Sequence, residues 1–275
     1  MRPQRPDPGV TAAIELAGVA KTYRTRGGDV PSLRPVDLVI PRGQIAAVVG
    51  PSGCGKSTLL KMVAGLLPPT AGEVRVNGHA VTRPHGDVGI VFQQSLLLPW
   101  RTVLRNVMMP VEVKRLPYAQ HLERARGLLR MTGLAEFADK HPWQLSGGMQ
   151  QRAAICRALV HDPDILLMDE PFGALDALTR ETMNLELARL QASTGKTVLL
   201  ITHSIPEAVF LADRVVVMTD RPGSVAATYD VGLPRPRTLD AMSEPLFTQL
   251  VRQIRGHFHA RGHLARENLA RENLD

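Results

Sequence analysis

The stretch that most limits what this chain can become is "IAAVVGPSGCGKSTLLKMV", residues 45–63. An unbroken apolar run ends in a glycine-rich loop, and apolar residues at helical spacing follow it. Strand, loop and helix in that order is what a phosphate-binding loop requires. Gly50, Gly55, Lys56 and Ser57 fill the pattern G-x-x-x-x-G-K-[ST]. Glycines let backbone N–H groups turn inward on a phosphate. The helix that starts near Gly55 adds the positive end of its dipole. Lys56 is placed to reach the β- and γ-phosphates of a nucleotide, and the Ser57 hydroxyl to ligate Mg2+. Pro51, Ser52, Gly53, Cys54 and Thr58 complete the loop, so residues 50–58 as a whole are expected to bind ATP.

A loop of this kind needs acids at a neighbouring strand end. "DILLMDEP" at 164–171 supplies them: Asp169 ends an apolar run and Glu170 follows. Asp169 is expected to hold Mg2+ and Glu170 to polarise an attacking water. Adjacent carboxylates are common on surfaces. Here the pair gains meaning from the phosphate loop, because an α/β sheet binds ligands at the carboxyl ends of its strands. "KTVLLITH" and "RVVVMTD" are further apolar runs of the sort found in central parallel strands. Helical segments separate them, so the core reads as α/β with a mostly parallel sheet. "AIELAGVAKTY", "VDLVI" and "GEVRVNG" read as strands, the last closed by an Asn-Gly turn. From about 95 to 158 the period turns helical. Residues 1–13 read as a loose tail, and 231–275 as a helical extension with Phe247, Leu250, Val251 and Ile254 on one face. The closing five-residue repeat, Leu-Ala-Arg-Glu-Asn, reads as a frayed, solvated helix.

Composition narrows the setting. The chain has 275 residues, 44% of them hydrophobic and 21% charged, which suits a folded core rather than disorder. The formal net charge of +7 suits polyphosphate, anionic lipid or nucleic acid without choosing among them. Cys54 and Cys156 are the two cysteines, and their spacing indicates neither a zinc site nor a disulfide framework. The first residues lack the apolar centre of a secretory signal, and no apolar run reaches the ~18 residues that span a bilayer. Membrane association would therefore go through a partner or the surface.

"LSGGMQQR" at 145–152 then becomes informative. It is a second glycine-bearing helix start, nearly a hundred residues from the first. With it the chain resembles the ATP-binding cassette (ABC) ATPases, in particular the nucleotide-binding subunits of bacterial import systems, over roughly residues 14–230. The resemblance implies a RecA-like P-loop core, an N-terminal antiparallel β subdomain and an inserted α-helical subdomain that carries this signature. It places Tyr23 where an aromatic ring stacks on adenine. It gives Gln93 a role at Mg2+ and the γ-phosphate, with the neighbouring Gln94 as an alternative. Asp176, in "GALDA", falls in the loop that couples two sites, and His203 is a switch histidine at the γ-phosphate. It also implies a head-to-tail pair of cassettes, either a homodimer or two related chains. One ATP then lies between the phosphate loop of one and Ser146, Gly147, Gly148 and Gln150 of the other. Physically this fits: Ser146 is a good N-cap, the two glycines permit close approach, and the helix after them offers free N–H groups.

No membrane segment is fused to this cassette, and "LLPWRTVLRNV" and "THSIPEAVFLADRVVVMTDRPGSV" resemble the importer branch that handles nitrate, taurine and aliphatic sulfonates. That branch often ends its last motif "RPGRI" where this chain has "RPGSV". The implied partners are membrane permease subunits and, indirectly, a periplasmic or lipoprotein binding protein, at the cytoplasmic face of the membrane. No nucleic acid is expected. An export or lipid-trafficking cassette, and a cytosolic cassette acting on nucleic acid or ribosomes, are the competing functions. Leu96, Leu97, Leu98 and Trp100 are either permease contacts or buried core. Cys54 is either an activated thiol, since a helix N-terminus and Lys56 lower thiol pKa values, or an inert filler.

Overall fold

The computed structural model describes residues 11–173 and 175–272, with side chains through residue 258. Alternation in "AIELAGVAKTY" yields β1 (Ala12–Thr25), with Ile14, Leu16 and Val19 buried. It begins inside the stretch expected to be a tail, because Ala13 is already in the core. β1 pairs antiparallel with β2 (Gly28–Pro41). The chain then enters β3 (Ile45–Val49), the phosphate loop and α1 (Lys56–Val63). It returns to the first sheet as β4 (Ala71–Val76), antiparallel to β1, and turns through Asn77 and Gly78 into β5 (His79–Ala80). Both turn residues have positive φ, 49° and 79°, as an Asn-Gly hairpin requires. This sheet has the order β2-β1-β4-β5.

β6 (Val88–Val91) opens the crossing into three helices: α2 (Val103–Val113), α3 (Tyr118–Met131) and α4 (Gly147–Leu159). These lie in the region whose period turned helical, and α2 packs on both α3 and α4. β7 (Ile165–Asp169), α5 (Ala177–Thr194), β8 (Thr197–Ile201), α6 (Ile205–Leu211) and β9 (Arg214–Met218) follow in alternation. The second sheet runs β10-β9-β3-β8-β7-β6, where β10 is Val225–Asp230. Its inner pairings are parallel, and only β10 runs antiparallel.

The runs of β3, β7 and β8 are unbroken because both faces of this sheet are covered. Ile45, Ala47, Leu166 and Met168 face one core with the helices. Ala46, Val48, Ile165 and Leu167 face another with α1 and the first sheet. The register sets Val48 and Asp169 beside Ile201, and Val91 beside Met168. The carboxyl ends of β3, β6, β7 and β8 therefore share one edge.

The segment from 231 onward packs into the core. Val231 and Leu233 are buried, and α7 (Pro245–Glu272) lays Phe247, Leu250 and Ile254 toward α6. Val251, expected on that face, is half-buried. Arg237 is itself buried and donates to the carbonyls of Val209, Phe210 and Ala212. It thereby satisfies the end of a helix that has no partners of its own there. The side chains of the final repeat lie outside the described residues. Among the described residues no helix is long and apolar enough to cross a membrane.

Candidate active site

The phosphate loop leaves β3 at Gly50 and enters α1 through Gly55. Gly55 has φ of 100° and a hypothetical Cβ there would sit 3.0 Å from the Ser32 carbonyl oxygen, so glycine is demanded twice over. Lys56 is buried, and its ammonium donates to the carbonyls of Gly50 and Pro51 at 2.8 Å each. Two of its three protons are thus held by the loop itself, at the place where phosphate oxygens would take them. Ser52 and Gly53 are exposed at the loop's crest. Tyr23, 36% exposed, comes within 3.3 Å of the Thr58 hydroxyl, so β1 delivers an aromatic ring to the mouth of the loop.

Cys54 departs from the activated-thiol expectation. Its side chain is fully buried under the loop, and burial pushes the thiol pKa up, outweighing the Lys56 charge that lowers it. The dipole and lysine arguments hold, but desolvation of the thiolate is the larger effect.

At the end of β7 the Ser57 hydroxyl donates to Asp169 Oδ1 at 3.0 Å. Burial raises the Asp169 pKa, while the Ser57 hydrogen bond acts in the opposite sense. A buried carboxylate paired with a hydroxyl offers two hard oxygen donors, a set that suits Mg2+. Glu170 follows with φ of 48°, in the left-handed region that costs a non-glycine residue about 1–2 kcal/mol. The turn aims its carboxylate into the cleft. There Oε2 accepts from Gln93 Nε2 at 3.2 Å and pairs with His203 Nδ1 at 3.2 Å. A carboxylate only accepts, so His203 carries its proton on Nδ1 in this contact. In a neutral ring Nε2 is then an acceptor. To donate from Nδ1 to a phosphate oxygen the ring must turn off Glu170. Gln93, with its amide nitrogen on Glu170, keeps Oε1 for a cation. Gln93 rather than Gln94 thus makes the contact with Glu170.

The signature region is built differently. Ser146 caps α4, its hydroxyl accepting from Met149 N at 3.3 Å. Ser146 and Gly147 are exposed. Gln150, grouped with them on sequence, is turned inward: Nε2 donates to the carbonyls of Pro142 and Leu145, and Oε1 accepts from Ser95. Its amide is committed within its own chain, where it shapes the loop. Asp176 caps α5, accepting from Thr179 N at 2.9 Å, which holds its carboxyl below the usual range. Trp100 is 71% exposed and Leu96 is also exposed, whereas Leu97 and Leu98 are half-buried. The Trp100 side chain is therefore available at the surface.

Several supporting residues escaped sequence reasoning. Arg157 and Gln151 of α4 bond the carbonyls of Ser95, Leu96 and Phe92, fastening the Gln93 loop to the signature helix. Gly223, in "RPGSV", lies against the phosphate loop: a Cβ there would fall 1.9 Å from the Cys54 carbonyl oxygen. Its amide also bonds Ser32 and its carbonyl accepts from Arg34. These contacts join segments far apart in sequence, and only the apolar periodicity of their elements was visible beforehand.

A phosphate loop, an acid pair, a glutamine and a histidine, converging on four parallel strand ends with a separate helical subdomain, define a P-loop ATPase of the cassette type. The chain belongs to the ABC transporter family, whose model matches residues 33–173. It is similar to the taurine import ATP-binding protein TauB of Rhizobium johnstonii, 46% identical over 239 residues, covering 85% of this chain and 91% of that one. It is also similar to the bicarbonate transport ATP-binding protein CmpD of Synechocystis, 44% identical over 248 residues and covering 89% and 88%. Among solved structures, the dimeric post-hydrolysis state of the ATP-binding cassette MJ0796 bound to ADP and Pi superposes with a TM-score of 0.73. It is 35% identical and covers 80% of this chain and all of that one.

Proposed function

We propose that the chain is the ATP-hydrolysing subunit of an importer for small solutes of the nitrate, taurine, sulfonate or bicarbonate kind. It works as one of two cassettes bound to membrane permease subunits at the cytoplasmic face, downstream of a substrate-binding protein. The observation that carries the reading is the convergence of Gln93 and His203 on one oxygen of Glu170, beside the Asp169–Ser57 pair.

Residues 50–58 bind the nucleotide phosphates, and Tyr23 flanks its base. Lys56 exchanges the Gly50 and Pro51 carbonyls for phosphate oxygens. Ser57, Asp169 and Gln93 Oε1 would hold Mg2+, which when bound draws charge from the phosphate oxygens. Glu170 orients a water for in-line attack on the γ-phosphate and takes its proton. His203, released from Glu170, steadies the charge that develops on the γ-phosphoryl group. Ser146, Gly147 and Gly148 of the second cassette close the far side with a helix N-terminus, while Gln150 holds that loop in shape and Asp176 caps the helix beside the coupling loop. Loss of the γ-phosphate removes those contacts and lets the pair reopen.

Glu170→Gln tests this directly. Hydrolysis is expected to fall by about 10²–10⁴-fold, ATP binding to persist, and an ATP-dependent dimer to accumulate on size exclusion. Wild-type turnover in this variant contradicts the assignment of Glu170.

A further inference from the structure

Tyr23 flanks the base in the reading above, yet nothing there uses the charge that stands against its ring. Lys21 lies two residues before Tyr23 on β1, the spacing that puts side chains on one face of a strand. Its Nζ stands over the Tyr23 ring, 5.5 Å from the centroid. That is within the roughly 6 Å over which an ammonium is drawn to an aromatic face. Lys21 is buried, so its charge is partly out of water. A buried charge needs partners. Here they are the face of Tyr23 and the carbonyl of Pro68, to which Nζ donates at 2.6 Å.

The bond to Pro68 allows a plainer reading, a lysine that pins the chain after α1 onto β1. That junction is fastened without it. Thr22 N donates to Thr70 Oγ1 at 3.1 Å, Thr70 N to Ala20 O at 2.9 Å, and Thr70 Oγ1 to Ala20 O at 3.1 Å. A neutral donor would also serve a carbonyl without the cost of burying a charge. The ring is where the charge matters. Tyr23 is held at its edge, its hydroxyl within 3.3 Å of Thr58 Oγ1 in the first turn of α1. One face of the ring lies under the ammonium, and the residue is still exposed. A base can therefore approach the opposite face. Two aromatic faces repel where they overlap fully, since each is negative. An ammonium draws π-density toward its own side and lessens that repulsion on the other.

We propose that Lys21 is a positioning residue for ATP binding: its ammonium occupies one face of Tyr23 and readies the other to stack on the base. The inference rests on the role given above to Tyr23. It joins base recognition to phosphate recognition, because Thr58, against the Tyr23 hydroxyl, belongs to the phosphate loop.

Calorimetric titration of the purified full chain with Mg2+-ATP and with Mg2+-tripolyphosphate, which lacks the base, tests it. Lys21→Met keeps the apolar stem and removes the charge. It is expected to weaken ATP binding about three- to tenfold, with tripolyphosphate binding within about twofold of wild type. Lys21→Arg keeps a cation for the ring and is expected to hold ATP within about twofold of wild type. The Lys21→Met/Tyr23→Ala double variant should bind no worse than Tyr23→Ala, because the lysine acts through the ring. If Lys21→Met does not fold, Lys21→Gln, which keeps a donor for the Pro68 carbonyl, decides the matter. The proposal is overturned by wild-type ATP affinity in the folded neutral variant, or by an equal loss toward tripolyphosphate. Losses that multiply in the double variant, or an arginine variant no better than the neutral one, also overturn it. Tyr23→Ala with wild-type ATP affinity removes the underlying role of Tyr23, whereas weakened Tyr23→Ala beside unaltered Lys21→Met refutes the role of Lys21 alone.

Discussion

The two glycine-bearing helix starts of this chain, at Gly55 and at Ser146, use the same backbone physics in opposite settings. The first is surrounded by its own chain: Lys56 is buried, Ser57 is bonded to Asp169, and Glu170, Gln93 and His203 stand at the neighbouring strand ends. The second is an exposed N-cap: Ser146 accepts from Met149 N, and Gln150 bonds its own chain. A helix end supplies partial charge for an anion in both cases. Only the first also has a cation, an acid pair and a metal-suited set of oxygens. On the proposed function, the first loop is a binding site in itself, while the second is half of one and meets a nucleotide brought by another cassette.

The comparison breaks most visibly under two single substitutions. Lys56→Ala is expected to weaken ATP binding and to cut hydrolysis by more than about 10²-fold, since it removes a donor to developing charge. Ser146→Arg is expected to cut hydrolysis by a similar factor while leaving ATP binding to the isolated chain within about twofold. Equilibrium binding of a fluorescent ATP analogue, set beside steady-state turnover, separates the two. A matching loss of binding in Ser146→Arg would make the second loop part of the first.

A smaller effect sharpens the claim that the first loop is built into the core. Gly223→Ala would place a methyl group 1.9 Å from the Cys54 carbonyl oxygen. The backbone must move, at a cost of about 1–3 kcal/mol, so both the melting temperature and ATP affinity are expected to drop. Gly147, where an added Cβ meets nothing within 4 Å, should tolerate alanine with little change in stability.

The smallest effect probes the anchorage of the second loop. His161 follows α4, and burial, reinforced by the Lys114 charge, pushes its pKa down to about 4 from 6.5. The unfolded chain therefore takes up this proton before the folded one does. Stability from a neutral His161 is whole above about pH 6.5 and is lost as pH falls toward 4. Thermal melts across that window should show a decline that His161→Gln reduces by about 2–4 °C. An unaltered acid limb in that variant would remove His161 as its source.

Much of the first loop was legible in the sequence, because the pattern, the preceding apolar run and the following helical spacing are all local. The N-cap at Ser146, the Asn77-Gly78 turn and the face of Phe247, Leu250 and Ile254 are local too. What escaped is long-range or depends on competing energies. Cys54 was read from its neighbours, yet its burial outweighs them. Gln150 looked like part of an outward motif, and only the fold shows Pro142, Leu145 and Ser95 taking its amide. Gly223 gains its meaning from segments that the fold, not the spacing, brings near. The antiparallel β10 was missed because "VAATYD" alternates weakly.

The central claim, that each active site is shared between two chains, is tested most directly by mixing Lys56→Ala and Ser146→Arg proteins. Each alone lacks a working site. A mixed dimer pairs the intact phosphate loop of one with the intact signature loop of the other and so regains one site of two. Mixing at equal amounts is expected to restore ATPase toward about one quarter of wild type, half the dimers being mixed and half their sites intact, if sites act independently. Activity no greater than the sum of the two separate variants would contradict the account.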